Sequence, residues 1–432
     1  MVKVGVLGCG NVGAALVALV EERGDEIARR TGVRLEITKV AVRSLSRQRP
    51  VQIADDKLTR DAAEVVADPD VDVVVEVIGG IEPARELILA ALAGGKPVVT
   101  ANKELLANHG AELFAAASAG GVDLLFEAAV AGGIPILRPL RESLVGEDVR
   151  RIMGIVNGTT NFILTRMSES GTSYAAALAE AQELGYAERD PTADVEGYDA
   201  GAKAAILASI AFGAKVVAGD VYHEGISNIT ATDIAFAQRL GYVIKLLAVA
   251  ELVPVEGGPD EVAVRVHPAM VPLAHPLAGV RDSFNAVFVE GAAVGDLMFY
   301  GRGAGGAPTG SAVLGDLVDA AVNLRKHTHA DLLALERRPI RPIDELHSSY
   351  YVNLDVLDRP GVLRAVAEVF ERHSVSIRSL EQEGVGADAR LIFITHRARE
   401  ADVQATLDDL RGLEVIHTIT SVLRVVGDDD EA

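Results

Sequence analysis

The chain of 432 residues carries a single cysteine, Cys9. One thiol makes neither an intramolecular disulfide nor a thiolate metal cluster, and a reducing cytoplasm is the expected compartment. Positive charge is also scarce: 41 Lys and Arg against 62 Asp and Glu leave a formal net charge of −21. Nucleic-acid backbones and anionic membrane surfaces are bound by clustered cations, so neither is an expected partner. Long apolar runs are missing. The most apolar helical stretch, AAILASIAFGA, is bracketed by Lys203 and Lys215 and is too short for a bilayer. The opening MVKVGVLGCG enters a strand directly, without the basic and apolar regions of a signal peptide. No internal repeat or low-complexity tract stands out.

What is present is a folded, soluble composition, 49% hydrophobic and 24% charged. The chain is too long for one core, so two or three domains are expected. Val2 to Leu7 is a short apolar run stopped by glycines. The stretch after it has apolar residues at helical spacing, Val12, Leu16, Leu19 and Val20. LEITKVAVR, VDVVVEVIG, PVVTAN and VDLLFEAAV read as strands, with helical TRDAAEVVAD and PARELILAALAGG between them. Strands alternating with helices, with near-continuous Val runs, predict an α/β fold: a Rossmann-type doubly wound parallel sheet covered on both faces.

After Ile134 the rhythm changes. RRIMGIVNGTT reads as strand then turn, and SYAAALAEAQELG as a helix capped by Ser173 and stopped by Gly185. EVAVRVHP, SFNAVFVEG and DLMFYG read as strands of an α+β substrate and oligomerisation unit. PTGSAVLGDLVDAAVNLRK is a further helix. From Ser348 the order is βαββαβ, a small split-βαβ sandwich entered through the Pro-containing ERRPIRPIDEL. The expected divisions are 1–134 completed by 302–330, then 135–301, a linker 331–347, 348–426, and a disordered tail 427–432.

In GCGNVG, Gly8, Gly10 and Gly13 form G-x-G-x-x-G between a strand and a helix, the context that dinucleotide binding needs. The first glycine permits the tight turn, the second lets a pyrophosphate approach the backbone, and the third lets helix pack on strand. The helix N-terminus then faces the anion. A glycine turn that only packs is the plain alternative. An NAD site places an acid after the second strand for the ribose 2′-OH. Here AVRSLSR carries Arg43 and Arg47 and no acid, which favours NADP(H). NAD(H) stays admissible, and two solvated arginines are the bland reading. VVTANKE puts Asn102 and Lys103 just past the carboxyl end of an inner strand, where open α/β sheets bind ligands, although a surface lysine at a helix start is the commoner case. FEAAVAGGIPI sets Glu127 before a loop of small residues whose carbonyls suit a hard monovalent cation; the residues alone read equally as an ordinary crossover loop.

GYAERDPTADVEGYDAGAK, residues 185–203, crowds carboxylates ahead of one amine. Asp199 and Lys203, four apart at a helix start, share a face, and Glu188 and Asp190 lie in the loop after Gly185. A structural ion pair is one reading. The other is a cationic substrate with an α-amino group, held by the acids while Lys203 moves a proton on its oxygen.

GCGNVG, TANKE, EAAVAGGIPIL, NGTTNFIL, GYAERDPTADVEGYDAGAKAAILA and GRGAGGAPTGSAVLGDL, in this order, resemble the homoserine dehydrogenases over residues 1–330. Residues 348–426, with DRPGVL, resemble an ACT domain, as in the monofunctional bacterial members. No aspartate kinase region precedes the resemblance, so the bifunctional fusion is not expected. The resemblance implies NAD(P)-dependent interconversion of L-homoserine and L-aspartate 4-semialdehyde, in threonine, methionine and isoleucine biosynthesis. It implies Lys203 as the proton donor to the aldehyde oxygen, Lys103 beside substrate and nicotinamide, and Glu188 and Asp199 as anchors of the amino acid. Gly8, Gly10, Asn11, Val12, Gly13, Arg43, Thr100, Lys103, Gly185 and Gly303 would meet the cofactor. Glu127, Val130, Gly132 and Ile134 would hold a sodium ion, mainly through carbonyl oxygens. The ACT unit implies an amino-acid effector, L-threonine from the end of the pathway, and a homodimer or homotetramer. One rival is a related amino-acid semialdehyde reductase of the same fold. Another, of a different class, is a non-catalytic sensor of nucleotide and amino acid; intact Lys103, Glu188, Asp199 and Lys203 argue against it.

Overall fold

The computed structural model of the protein describes residues 1–330, 335–384 and 389–427. Residues 331–334 of the expected linker and 428–432 of the expected disordered tail lie outside the described residues.

Six strands, β1 (Val2–Leu7), β2 (Leu35–Ala41), β3 (Leu58–Thr59), β4 (Val73–Glu76), β5 (Val98–Thr100) and β6 (Leu124–Leu125), pair in parallel in the order 3-2-1-4-5-6. Val73, Val74 and Val75 are fully buried, as an unbroken valine run requires of a strand covered on both faces. Helices α1 (Asn11–Thr31), α2 (Ala62–Ala67), α3 (Ala84–Ala93) and α4 (Lys103–Gly120) run between the strands. The order reverses between β1 and β4, and sheets of this kind take their ligands at the carboxyl ends beside that switch.

The middle of the chain places α5 (Gly158–Ser170), α6 (Tyr174–Glu183), α7 (Thr192–Val195), α8 (Tyr198–Phe212) and α9 (Ala231–Arg239) with six strands. These are β7 (Val149–Ile155), β8 (Tyr222–His223), β9 (Tyr242–Val253), β10 (Glu261–Pro272), β11 (Phe284–Gly291) and β12 (Gly295–Arg302). Helices α7 and α9 and strand β8 are additions to the expected elements, and two further stretches differ from expectation. NGTT does not end in a turn: Asn157 is the N-cap of α5, its Oδ1 accepting from the Thr160 N–H at 2.9 Å. The twelve-residue β9 was not anticipated. YVIKLLAVAELV is apolar on both faces, so it lacks the alternation that marks a half-buried strand; it is buried between β7 and β10. Helix α10 (Gly306–Lys326) then returns to the first sheet, where Val313, Leu317, Ala320 and Ala321 join its core. Glycine at 306 allows that approach to α1, because a Cβ there would lie 2.9 Å from the Asn11 carbonyl oxygen.

The last unit has β13 (His347–Val356), α11 (Val362–Arg372), β14 (Ile377–Glu383), β15 (Arg390–Thr395), β16 (Ala398–Arg399), α12 (Glu400–Arg411) and β17 (Ile416–Val425). That is the expected βαββαβ order with the short β16 added. Its sheet is continuous with the middle one. β17 pairs in parallel with β10 at Ala269–Arg424 and Met270–Val425, so one path runs β12-β11-β7-β9-β10-β17-β13-β15-β14. The described part of the Pro-containing segment is laid against the middle unit: Lys215 N–H donates to the Glu336 carbonyl at 2.7 Å and Val262 N–H to that of Pro339 at 3.0 Å. Among the described residues no helix is long and apolar enough to cross a membrane.

Candidate active site

Gly8 ends β1 with a left-handed backbone, φ +104°, and a Cβ there would meet the Val77 carbonyl oxygen at 2.8 Å. At Gly13 a Cβ would fall 2.2 Å from the Gly8 oxygen, so no larger residue lets α1 close on the turn. Around Gly10, the N-cap of α1, nothing lies within 4 Å of such a Cβ. The backbone is therefore open there, and the N–H groups of the first turn, those of Asn11 and Val12 among them, favour an anion. Arg43 and Arg47 are exposed after β2, whereas Arg49 folds back onto the carbonyls of Ser44, Leu45 and Arg47.

At the end of β5 Thr100 is buried, and its hydroxyl donates to the buried Glu76 at 2.5 Å, so its side chain is committed to the fold. Glu76 also accepts the N–H groups of Ile78 at 2.7 Å and Gly79 at 3.1 Å, which shapes the turn after β4. Gly185 follows α6 with φ +76°. Gly303 lies just past β12, where a Cβ would collide with the Asn285 side chain at 1.9 Å.

Asn102 caps α4: its Oδ1 accepts from the Leu105 N–H at 3.1 Å and its Nδ2 donates to the Gly80 carbonyl at 2.7 Å. Lys103 thus starts the helix, with Nζ 3.1 Å from Asp199 Oδ1. Lys203, one turn along α8 from Asp199, donates to Asp199 Oδ2 at 2.6 Å and to the Val156 carbonyl at 2.7 Å. Asn157 Nδ2 bridges Asp199 Oδ2 at 2.9 Å and Asp194 Oδ1 at 2.7 Å. The cluster therefore joins the β5–α4 junction of the first sheet to α7, α8 and the start of α5. Burial alone would raise the Asp199 carboxyl, but Lys203 and Lys103 outweigh it and hold the group well below the usual carboxylate range. Burial wins at Asp194, pushing its carboxyl up against the hydrogen bond from Asn157. A lysine ammonium has three donors, and two of those on Lys203 are in use. Glu188 stands outside the cluster, exposed; its carboxylate makes no hydrogen bond or ion pair among the described residues, and its backbone carbonyl accepts from Gln182 at 3.0 Å.

Three polar residues here were not singled out from the sequence. Asn157 carried a helix-cap signature, but its contact with Asp199, 42 residues on, has no local signal. Asp194 sat inside the acidic stretch without a spacing to distinguish it. Asn285 is buried against Gly303, with no partner for its Oδ1 among the described residues, and nothing in the strand pattern marks it.

The loop expected to hold a cation has left-handed backbone at Ala131, φ +54°, and Gly132, φ +52°. The Glu127 carboxylate accepts the N–H groups of Ile136, Leu137 and Arg138 at 2.5, 2.7 and 2.8 Å, so it shapes the turn. Val130, Gly132 and Ile134 are buried, and among the described residues their carbonyl oxygens accept no hydrogen bond. Carbonyls without hydrogen-bond partners are the kind of ligand that a hard monovalent cation takes. No group of three or more His, Cys, Asp or Glu side chains gathers for a metal among the described residues.

A glycine-turn cradle in a parallel sheet, with a lysine–carboxylate cluster at the carboxyl edge, defines an oxidoreductase of the nicotinamide-dinucleotide class. Family models match in three consecutive stretches: the homoserine dehydrogenase NAD-binding domain over residues 8–127, homoserine dehydrogenase over 135–318, and the ACT domain over 350–415. The chain is 52% identical to a homoserine dehydrogenase of Corynebacterium glutamicum, covering 99% of this chain and 96% of that one. A crystal structure of a homoserine dehydrogenase from Thiobacillus denitrificans superposes with a TM-score of 0.91 at 40% identity, over 98% of both chains. A hyperthermophilic archaeal homoserine dehydrogenase in complex with NADPH covers 74% of this chain and 98% of its own, with a TM-score of 0.63 at 29% identity. The chain belongs to the homoserine dehydrogenase family, in the form that carries an ACT domain.

Proposed function

We propose that the protein interconverts L-homoserine and L-aspartate 4-semialdehyde at the Lys103–Asp199–Lys203 cluster. The observation that carries this is the remaining N–H of Lys203, on an ammonium otherwise fixed by Asp199 and Val156. That donor meets the carbonyl oxygen of the aldehyde and gives it a proton; in the reverse direction the amine takes the proton from the alcohol. Asp199 orders both lysines and keeps a lone pair on Oδ1 for the substrate ammonium, and Glu188 is the second anchor. Lys103, at the start of α4 and against Asp199 of α8, is the residue beside substrate and nicotinamide. When bound, the dinucleotide supplies or takes the hydride. The turn of Gly8, Gly10, Asn11, Val12 and Gly13 would hold its diphosphate, and Thr100, Gly185 and Gly303 are the other residues that would meet it.

NADP(H) is the favoured cofactor because Arg43 is exposed after β2 with no acid in its turn, and the archaeal relative in complex with NADPH supports the choice. Sodium is proposed at the carbonyls of Glu127, Val130, Gly132 and Ile134. We assign residues 1–134 with 302–330 to the cofactor domain, 135–301 to the catalytic domain and 348–426 to the ACT domain, with L-threonine as effector and the cytoplasm as compartment. Exposed Met298 and Tyr300 on the edge strand β12 support a homo-oligomer. Steady-state oxidation of NADPH with L-aspartate 4-semialdehyde tests the activity. Turnover with this substrate above that with related amino-acid semialdehydes is expected, and no turnover overturns the reading. Titration with L-threonine in the same assay tests the effector.

A further inference from the structure

The ACT domain reaches the catalytic unit at a buried charge. Arg424, on β17, sits opposite Ala269 of β10 on one side and Tyr350 of β13 on the other, and its side chain is 6% exposed. Its Nε and Nη2 donate to Glu400 of α12 at 3.1 and 2.9 Å, while Nη1 donates to Glu224 at 2.8 Å. Glu400 belongs to the ACT domain. Glu224 belongs to the ribbon that follows β8, and Tyr222 donates to the same Glu224 oxygen at 2.5 Å.

That ribbon lies on the segment bearing the acids and the lysine. Ile226 N–H donates to the Val195 carbonyl at 2.8 Å. Gly225 approaches so closely that a Cβ would be 2.4 Å from the Val195 oxygen. The His223 ring meets Tyr198 edge-on, with centroids 4.6 Å apart. Gly197, which starts α8 with φ +85°, has the Glu224 carbonyl oxygen 3.4 Å from where its Cβ would be. Asp194, Asp199 and Lys203 are therefore seated by a ribbon whose outer carboxylate is held from the ACT domain. A buried ion pair adds little net stability over apolar packing, but it fixes geometry, and loss of one partner strands the other.

We propose that Arg424 is a positioning residue for the reaction, setting α7 and α8 through Glu224, so that a shift of β17 changes how the substrate is held. This rests on the assignment of Asp199 and Lys203 made above. The contact is weakened by Glu224→Gln, which removes the carboxylate charge while Arg424 keeps Glu400, so the fold is spared a stranded charge. In the full-length enzyme kcat/KM for L-homoserine is expected to fall about two- to thirty-fold. The dissociation constant of NADPH and the thermal midpoint should stay at their wild-type values. Arg424→Lys should act in the same direction, and the two changes together should cost less than the product of the singles, since both act on the Arg424–Glu224 contact, with the loss at Glu400 belonging to the Lys variant alone. A folded Glu224→Gln enzyme with wild-type homoserine kinetics overturns the proposal, as does an equal loss in NADPH binding, which marks general loosening. Lys203→Met serves as the control: if it keeps its turnover, the fault lies in the active-site assignment and not in Arg424.

Discussion

Lys203 is half-buried and Lys245 buried; both donate to a backbone carbonyl, and both are served by asparagines one turn apart at the start of α5, the N-cap Asn157 and Asn161. At Lys203, Asn157 meets the lysine's carboxylate partner, Asp199. At Lys245, Asn161 supplies a neutral amide oxygen at 3.0 Å, and its Nδ2 donates to the carbonyls of Val280, Asp282 and Phe284. Among the described residues no carboxylate touches Lys245, and burial lowers its pKa to about 8. The pair shows that a buried amine is not by itself a site. Each amine uses two of its three donors, so the spare donor does not separate them; Lys203 differs in having its charge balanced by a carboxylate, whereas Lys245 is held by neutral oxygens.

Removing the counter-charge should separate the two places most. Asp199→Asn leaves two ammonium groups without their acid and is expected to cost about 3–5 kcal/mol in urea unfolding at pH 7, with a large loss of turnover. Because the folded pKa of Asp199 is depressed, its contribution is present above the ordinary value of 3.8 and fades as pH falls further. The deficit of the variant should therefore shrink in acid; a deficit independent of pH would contradict the pairing. Asn161→Ala, at the other lysine, removes neutral hydrogen bonds and should cost about 1–3 kcal/mol while turnover stays close to wild type.

Lys245→Met gives a smaller, pH-dependent effect. The folded pKa of about 8 lies below the ordinary 10.5, so the unfolded chain binds more protons between them and wild-type stability should rise with pH across that window. Urea midpoints at pH 7.5 and 9.5 should move in favour of wild type over Lys245→Met; parallel curves would mean that the amine is not desolvated. The least effect is expected at Arg43, which is exposed. Arg43→Ala should lower the preference for NADP over NAD by about ten-fold, read from the two KM values, and equal changes would make it a solvated charge.

The first sheet and the ACT unit were legible because valine runs, glycine turns and βαββαβ alternation are local signals. Lys103, Asp199 and Lys203 could be singled out as candidates for the same reason, each lying at a strand end or helix start. Strand β9 was not legible, since a run apolar on both faces has no period to read. The i,i+4 pair of Asp199 and Lys203 was legible, but the long-range contact was not: Lys103 and Asp199 are far apart in sequence, and only the fold brings them within 3.1 Å. The continuity of the catalytic and ACT sheets rests on two residue pairs between β10 and β17, and no composition shift reports it. A truncation before β13 would therefore remove Arg424 from Glu224 along with the ACT domain.

The most direct measurement is the steady-state rate of L-homoserine-dependent NADP reduction by Lys203→Met and Lys245→Met side by side, with NADPH binding measured for each. A proton-transfer lysine predicts that Lys203→Met loses about a hundred- to ten-thousand-fold in turnover with NADPH binding intact, while Lys245→Met stays near wild type. Near-normal turnover in Lys203→Met, or equal losses in the two variants, would contradict the assignment of the Asp199–Lys203 cluster as the catalytic site.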